Sequence, residues 1–295
     1  MIITIDGPSG TGKSTTAKRL ASALQIAYLD TGAIYRSLAW FFLEEKIDPA
    51  NEAEGKKALK RFHLEITEDE NYIVSGKNIT KELRKEKIST LSSTVSAFPY
   101  IRKHLRKIQR GCMSKRSGVV EGRDIGSAVF PKADVKIFLT ASLASRAKRR
   151  HLQLKEQFPD QDFSLKDIEE KLDQRDQADS TRASCPLKKT SDMYVIDTTN
   201  LSLEEVLIAI LHRIPRKKMR FFYRMIFQIA WGIFRCFYRF RVYGKQHLFA
   251  GPALVIANHT SYFDPHMTVL AMKEELHILA RNTLFRQKLL ASLIL

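Results

Sequence analysis

Short apolar runs alternate with longer segments of helical periodicity along the first 215 residues. The runs are rich in β-branched residues and have the length of buried strands: Ile2–Ile5, Val119–Glu121, Val135–Leu139 and Tyr194–Ile196. Other segments carry apolar residues at helical spacing: Thr15–Leu24, Ala144–Gln157, Leu165–Ala178 and Leu203–His212. Strands that alternate with helices predict an α/β fold, with a mostly parallel sheet and helices on both of its faces.

The segment Arg61–Lys81 has a different pattern. Apolar and polar residues alternate in Phe62–Ile66, Asn71–Val74 is a short, mostly apolar segment, and Ser75–Lys77 contains the glycine of a turn. We predict small antiparallel strands around a turn, in an insertion that lies outside the main sheet.

The composition changes near Ile214. Residues 219–243 are rich in Phe, Tyr and Trp, and arginines interrupt the apolar run. Met225–Phe234 carries no charge but is only ten residues long, which is too short to span a bilayer. Two interpretations remain open: a basic, aromatic helix that lies in a membrane interface, and a core helix of a second domain.

Positive charge is unevenly distributed. The formal net charge is +17, and residues 216–295 hold 13 Lys and Arg against 3 Asp and Glu. A basic surface suits nucleotides, nucleic acid or an anionic membrane. No nucleic-acid-binding motif accompanies the charge, so we predict no nucleic-acid partner. Three scattered cysteines, and a first strand without a preceding signal, indicate a reducing, cytoplasmic location.

The first strand leads into a complete G-x-x-x-x-G-K-[ST] phosphate loop, and a helix follows the loop. This is the arrangement in which backbone N–H groups and a helix N-terminus hold a polyphosphate. We therefore predict ATP binding by consecutive residues: Gly7, Pro8, Ser9, Gly10, Thr11, Gly12, Lys13, Ser14 and Thr15. Lys13 would reach the β- and γ-phosphates, and the Ser14 hydroxyl would bind Mg²⁺.

Two arginine-rich segments supply further candidates. Arg123 and Asp124 follow the strand Val119–Glu121, and the carboxyl end of a parallel strand faces the crevice where α/β sheets bind ligands. A structural ion pair is the alternative. One helical face carries three arginines: Arg146, Arg149 and Arg150. Clustered guanidiniums repel one another unless an anion lies between them, so we favour a mobile lid over the triphosphate, with a solvated basic face as the alternative.

Three more segments of the chain carry candidate residues. Arg175, Asp179 and Arg182 stand at i, i+4 and i+7, which predicts one helical face. They could bind a phosphate and a ribose hydroxyl together, or form an exposed salt-bridge ladder. Asp30–Arg36 and Ser93–Arg102 each end in an arginine, and each alone is typical of a surface turn.

Together these segments resemble the bacterial cytidylate kinases over residues 1–215. The matching motifs are IDGPSGTGKST, DTGAIYR, SAFPYIR, EGRDIG, the three-arginine helix and RDQADSTRASCPL. The resemblance implies a P-loop nucleoside monophosphate kinase fold, in which Arg61–Lys81 belongs to an enlarged monophosphate-binding region. It implies an enzyme that transfers the γ-phosphate of ATP to CMP or dCMP, with Mg²⁺ as the cofactor. A kinase that prefers UMP is the alternative.

The resemblance also implies roles for individual residues. The CMP phosphate is expected at Arg36, Arg123 and Arg182, and the cytosine edge at Ser93, Arg102 and Asp124. Thr31, Arg175 and Asp179 complete the CMP-binding set, with Asp179 on the ribose. Catalytic roles are expected for Lys13, Arg123, Arg146, Arg150 and Arg182. Two residues depart from the family's pattern: Thr31 stands in place of a frequent Ser, and Glu121 in place of the usual Asp, where a longer side chain would shift a water-mediated Mg²⁺ contact.

Residues 216–295 carry a second resemblance. Asn258–Pro265 follows the apolar run Ala253–Ala257, and His259 and Asp264 stand in an H-x₄-D relation. This pattern resembles the first motif of the 1-acyl-glycerol-3-phosphate acyltransferases. In those glycerolipid enzymes the His removes a proton from the glycerol hydroxyl and the Asp orients the imidazole. Ala280–Phe285 is similar to the second motif.

The Glu-Gly-Thr-Arg-type block of those acyltransferases does not occur in the 295 residues. We therefore predict a kinase domain at 1–215. At 216–295 we predict an interfacial helix and a partial α/β acyltransferase segment without acyl-transfer activity. Peripheral membrane contact is expected through residues 219–243. A membrane-associated glycerolipid acyltransferase, incomplete here, is the alternative function.

Overall fold

The computed structural model describes residues 1–67 and 69–215, together with the single positions 225, 228, 229 and 232. Apart from those four positions, the aromatic segment 219–243 lies outside the described residues, as do His259 and Asp264. No helix in the described part of the chain is both long enough and apolar enough to cross a membrane.

Strands and helices alternate through the described residues. The strands are β1 (Ile2–Asp6), β2 (Ala27–Asp30), β3 (Leu64–Ile66), β4 (Tyr72–Val74), β5 (Lys77–Asn78), β6 (Gly118–Gly122), β7 (Val135–Thr140) and β8 (Tyr194–Asp197). The α-helices are α1 (Lys13–Leu24), α2 (Thr31–Glu44), α3 (Glu52–Arg61), α4 (Glu86–Ser96), α5 (Pro99–Cys112), α6 (Leu143–Gln157), α7 (Leu165–Thr181) and α8 (Leu203–Leu211). A 3₁₀ helix (Glu82–Arg84) and a π-helix (Ile125–Val129) complete the set.

Five parallel strands form the main sheet, in the order β2-β6-β1-β7-β8. β1 pairs with β6 in register, from Ile2 opposite Gly118 to Asp6 opposite Gly122. Both of these central strands are buried over almost their whole length. A strand that is covered on both faces needs apolar residues throughout, which is why the sequence shows short continuous runs rather than alternation. The predicted parallel sheet is therefore confirmed.

The strand β2 does not follow from the sequence pattern. It has four residues and begins shortly after Gln25, which ends α1 in a left-handed conformation with φ 53°. Its residues, Ala27-Tyr28-Leu29-Asp30, include no β-branched residue, in contrast to the runs that predict the other strands of the sheet. Its pairing with β6 sets Asp30 opposite Glu121, which brings the start of α2 to the edge of the sheet.

The insertion contains the predicted antiparallel strands, in the order β3-β4-β5. Tyr72 and Val74 of β4 are buried in the same apolar cluster as Ile34, Leu38 and Phe42 of α2. The insertion therefore lies outside the main sheet, as predicted, but shares a core with α2. This shared core fixes the insertion beside the helix that begins at the sheet edge.

Candidate active site

The carboxyl ends of β1, β6 and β2 lie side by side at one edge of the main sheet. Asp6 is opposite Gly122, and Asp30 is opposite Glu121. The phosphate loop leaves β1 at this edge, the Gly-Arg-Asp turn leaves β6, and α2 begins directly after β2. From β1 the strand order continues in both directions, which makes this edge a switch point, where α/β sheets bind ligands.

Glycines give the phosphate loop its shape. Gly10 and Gly12 adopt left-handed φ values of 77° and 87°, which glycine takes without steric cost. Gly7 is so close to β7 that a Cβ atom there would lie 2.1 Å from the carbonyl oxygen of Leu139. α1 begins at Lys13, so its unpaired N–H groups and the positive end of its dipole lie at the loop.

Lys13 is buried within the loop, where its Nζ donates to the Pro8 carbonyl oxygen at 2.6 Å. Burial, followed by the nearby Arg123 guanidinium, lowers the pKa of Lys13 to about 7. The protein itself therefore compensates this ammonium group only in part. An anion in the loop would supply the missing counter-charge, so the site is electrostatically suited to phosphate.

A cleft of about 440 Å³ adjoins the loop. Its lining includes loop and α1 residues from Gly10 to Thr16 and three apolar residues at or just before the start of α8: Leu201, Leu203 and Val206. Arg149 and Arg150 of α6 also line it. A lining with both polar and apolar residues suits a nucleotide, because the phosphates and the base need different surroundings.

Arg146 is placed differently from the other two arginines of α6. It is buried, and it donates to the carbonyl oxygens of Ser9 at 3.0 Å and Ala141 at 3.1 Å. It also pairs with Asp176 of α7, whose carboxylate accepts from the Ser9 backbone N–H at 3.1 Å. Arg146 thus connects α6, α7 and the phosphate loop instead of lining the cleft.

A chain of ion pairs extends from the loop to a second group of charged residues. Arg123 donates to the Ser9 hydroxyl at 2.7 Å and to Asp179 at 2.9 Å. Arg182 bridges Asp179 at 3.2 Å and Asp124 at 3.3 Å. The chain ends at the pair of Arg102 and Asp124, 2.6 Å apart. It contains three arginines and two aspartates, and this excess of positive charge suits an anionic ligand.

The Arg102–Asp124 pair has unused hydrogen-bonding capacity. Both side chains are almost fully buried. Arg102 Nε has no hydrogen-bond partner in the described residues, and Asp124 Oδ2 has only its 2.6 Å ion-pair contact with Arg102 Nη2. The Arg102 guanidinium also lies 5.5 Å from the centroid of the Tyr35 ring. Buried polar atoms without hydrogen-bond partners are costly, so these two point to a polar ligand.

The other residues predicted to bind the acceptor lie on α2, α4 and α7. Arg36 pairs with Asp30 at 2.7 Å, and the Thr31 hydroxyl donates to the Glu121 carbonyl oxygen at 2.7 Å. Burial, followed by repulsion from Arg123, lowers the pKa of Arg175 to about 10. Ser93 is half-buried on α4. The structure thus places Arg36 and Thr31 at the sheet edge and leaves Arg175 partly uncompensated.

The predicted helical face at Arg175, Asp179 and Arg182 is wrong at its last member. α7 ends at Thr181, and the backbone of Arg182 is extended, with φ −60° and ψ 142°. Arg182 reaches Asp179 because the chain turns there, not because of helical spacing. Its guanidinium also donates to the Cys185 carbonyl oxygen at 2.7 Å, which fixes this turn.

Oxygen atoms of Ser14, Glu121 and Asp30 lie near the N-terminus of α1. The Tyr28 hydroxyl donates to the Glu121 carboxylate at 2.8 Å, and the Ser14 hydroxyl lies near the same carboxylate. Burial, followed by the charge of Asp30, raises the pKa of Glu121. Crowded oxygen ligands suit a hard dication that keeps water and phosphate ligands. Across the described positions, no group of three or more His, Cys, Asp or Glu forms a metal site by itself.

Asp6 belongs to this site, although the sequence analysis did not select it. Its carboxylate accepts from the backbone N–H groups of Ile125 at 2.8 Å and Gly126 at 2.7 Å. These contacts hold the turn that carries Arg123 and Asp124. The available signal was an acidic residue at the end of an otherwise apolar strand, immediately before the loop.

The stability contribution of Asp6 is expected to depend on pH. Burial raises the pKa of Asp6 to about 6, so the folded state holds a proton that the unfolded chain releases near pH 4. This contribution therefore decreases as pH rises towards 6 and is constant above it, whereas Asn does not titrate. Between pH 5 and 7.5 the unfolding free energy of the wild type should fall relative to that of Asp6→Asn by about 1.4 kcal/mol. Urea denaturation checks this, and a difference that does not change with pH would contradict it.

The parallel sheet, the phosphate loop at its switch point and the adjoining arginine-rich pocket define a P-loop phosphotransferase. The family model described as Cytidylate kinase matches residues 3–216. The chain belongs to the cytidylate kinase family. A second model, described as Acyltransferase, matches residues 239–294.

Curated relatives agree with the family assignment. The chain is similar to the Cytidylate kinase of Carboxydothermus hydrogenoformans, with 40% identity over 220 residues that cover 74% of this chain and 98% of that protein. It is 43% identical to the Cytidylate kinase of Thermosipho melanesiensis over 215 residues, 73% of this chain and 97% of that one. It is also 41% identical over 225 residues to the Bifunctional pantoate ligase/cytidylate kinase of Prochlorococcus marinus, covering 74% of this chain and 42% of that protein.

Proposed function

We propose that this chain transfers the γ-phosphoryl group of ATP to CMP or dCMP, giving CDP or dCDP. The observation that carries the proposal is the buried Arg102–Asp124 pair, linked by ion pairs to the phosphate loop. Cytosine presents an amino donor at N4 beside ring acceptors, and an Asp with an Arg can serve both. The cytidylate kinases among the relatives support the same acceptor.

On the donor side, the loop residues and Lys13 would hold the triphosphate. Their backbone N–H groups and the ammonium group neutralise charge that spreads over the phosphate oxygens during transfer. Arg150 lines the same cleft from α6 and would contact the phosphates. Arg146 would act indirectly, by fixing α6 and α7 to the loop. Exclusion of water by these helices would favour transfer over hydrolysis.

On the acceptor side, the CMP phosphate would bind Arg36, Arg123 and Arg182. The base would contact Arg102 and Asp124, with Ser93 beside them. The sugar would contact Asp179, and Arg175 would add charge near the phosphate. No separate general base is required, since the attacking phosphate oxygen is already anionic.

We further propose that the divalent metal of the reaction is Mg²⁺. Ser14 would be its protein ligand, with Glu121 and Asp30 acting through water. A dication would counteract the burial and the repulsion from Asp30 that raise the pKa of Glu121. When bound with ATP, the metal neutralises charge on the β- and γ-phosphates. The chain's own residues position the nucleotides around it.

We propose two parts for the chain, a kinase domain at 1–215 and a separate segment at 216–295. The ranges matched by the two family models, 3–216 and 239–294, support this division. Within the second part, His259 and Asp264 are proposed as an acyltransferase-like pair, and residues 219–243 as a peripheral membrane contact. The basic composition of this part supports the membrane contact. We also propose a cytoplasmic location for the protein and no nucleic-acid partner.

A coupled ADP-release assay with ATP, Mg²⁺ and each of CMP, dCMP, UMP and AMP tests the proposal. CMP and dCMP should react efficiently, with kcat/KM for UMP and AMP lower by at least about 100-fold, because a polar base site rejects a mismatched edge. EDTA should abolish turnover, and added Mg²⁺ should restore it. Comparable rates on UMP would favour a UMP kinase, and no turnover with any acceptor would contradict the proposal.

A further inference from the structure

A second cleft, of about 470 Å³, adjoins Ser14, β2 and the insertion. Arg36 of α2 lines it, as do Arg150 of α6 and Arg84 of the 3₁₀ helix that follows the insertion. Ser14 and Arg150 also line the nucleotide cleft, so the two clefts share a boundary. Three guanidiniums from three separate elements thus line one cleft beside Ser14 of the phosphate loop.

The charges of this second cleft are unequally compensated. Lys18 pairs with Glu70, and Arg36 pairs with Asp30. Arg84 and Arg150 form no ion pair with any other described residue. Besides the paired Asp30 and Glu70, the lining of this cleft contains the acidic residue Glu156. Partial burial lowers the pKa of Arg150; Glu86 opposes this shift, and repulsion from Arg36 adds to it. An additional anion in this cleft would relieve the repulsion.

Arg84 combines a fixed backbone with an exposed side chain. The preceding residue, Leu83, is only 4% exposed and packs in the main apolar cluster with Ile79 and Ile88. The guanidinium of Arg84 itself is exposed to solvent in the cleft. Substitution of this side chain removes little packing, so its expected role is contact with a ligand rather than stabilisation of the fold.

We propose that Arg84 binds the phosphate of the acceptor nucleotide together with Arg36. The proposal rests on the proposed function. In the transfer step, an oxygen of the acceptor phosphate forms a bond to the γ-phosphorus, and the bond from that phosphorus to the β–γ bridging oxygen breaks. ADP leaves with the electron pair. Arg84 would add to the guanidiniums already proposed on the acceptor, which lower the repulsion between two anionic phosphates as they approach.

Arg84→Ala tests this assignment in the full chain. We expect kcat/KM for CMP to fall by about 10- to 100-fold, the loss expected for a charged hydrogen bond. KM for ATP should stay within about twofold, because the donor contacts are retained. Arg84→Lys should recover part of the loss. Inhibition by cytidine, which has no phosphate, should be the same in wild type and Arg84→Ala.

Lys87→Ala is the matched control, because Lys87 is also an exposed cation near the start of α4 but does not line the cleft. If the wild type fails to turn over CMP, the proposed function fails first. If the wild type is active and Arg84→Ala behaves like Lys87→Ala, the assignment of Arg84 is overturned. A loss that affects cytidine inhibition or the KM for ATP equally would show a structural role and would also overturn it.

Discussion

Lys13→Met is expected to lower kcat by about 10²- to 10³-fold, the scale of loss when one preorganised group that stabilises the transition state is removed. Met keeps an unbranched four-atom stem, with sulfur in place of one methylene, and lacks the ammonium group. That group lies inside the phosphate loop and donates a hydrogen bond to the Pro8 carbonyl oxygen. On ATP binding it would exchange this partner for phosphate oxygens.

The folded protein should tolerate this substitution well. Lys13 is buried, and burial lowers the pKa of its ammonium group to about 7, so its charge is unfavourable in the absence of an anion. Removal of a buried, partly compensated charge does not weaken the fold as removal of one partner from a tight ion pair does. We therefore expect an unchanged or higher melting temperature without ligand. ATP should no longer raise it.

The measurement is the ADP-release assay together with thermal denaturation in the presence and absence of ATP. Arg19→Ala is the control, because Arg19 is an exposed cation on the same helix that lines neither cleft. It should retain wild-type kinetics. Retention of kcat in Lys13→Met would refute the assignment of the loop as the donor site, whereas loss of both folding and activity would leave Lys13 with a structural role instead.

The sequence predicted the parts of this molecule that depend on local patterns. Three strands of the main sheet, β1, β6 and β7, are buried runs of mostly apolar residues, and a strand covered on both faces must have that composition. The phosphate loop is equally local, since its shape requires glycine at Gly10 and Gly12. These features place the donor loop at the sheet edge before any long-range contact is known.

The parts that were not predicted depend on contacts between distant residues. Asp6 holds backbone groups at Ile125 and Gly126, and Arg146 meets its partner Asp176 on the next helix. The spacing of apolar residues along the sequence does not indicate such contacts between distant residues. Helical spacing even misled at Arg182, because the spacing rule cannot detect where a helix ends. Two of the residues that fix the geometry of the site, Asp6 and Asp176, therefore became visible only in the folded structure.

Asp124→Asn is expected to lower the ratio of kcat/KM for CMP to that for UMP by at least about 100-fold. The carboxylate can accept from the cytosine amino group, whereas uracil presents a carbonyl oxygen at the same position and would be repelled. An asparagine amide can rotate and donate to that oxygen. The substitution should therefore both weaken CMP turnover and permit UMP. The ADP-release assay with both nucleotides measures the two effects together.

The same substitution should also destabilise the protein, by about 3 kcal/mol, because it leaves buried guanidiniums without their counter-charge. Arg102 is only 3% exposed, and Arg182 shares the same carboxylate. The double variant Arg102→Met/Asp124→Asn removes one of these stranded charges. It should regain part of the lost stability in urea denaturation without regaining CMP turnover.

This separation of stability from selectivity distinguishes the two interpretations of the Arg102–Asp124 pair. A purely structural ion pair would affect stability and would slow CMP and UMP to the same extent. A base-reading pair changes the ratio between the substrates, even in the double variant whose fold has been restored in part. Since Arg102 Nε and Asp124 Oδ2 are buried without hydrogen-bond partners in the described part of the chain, we expect the ratio to change.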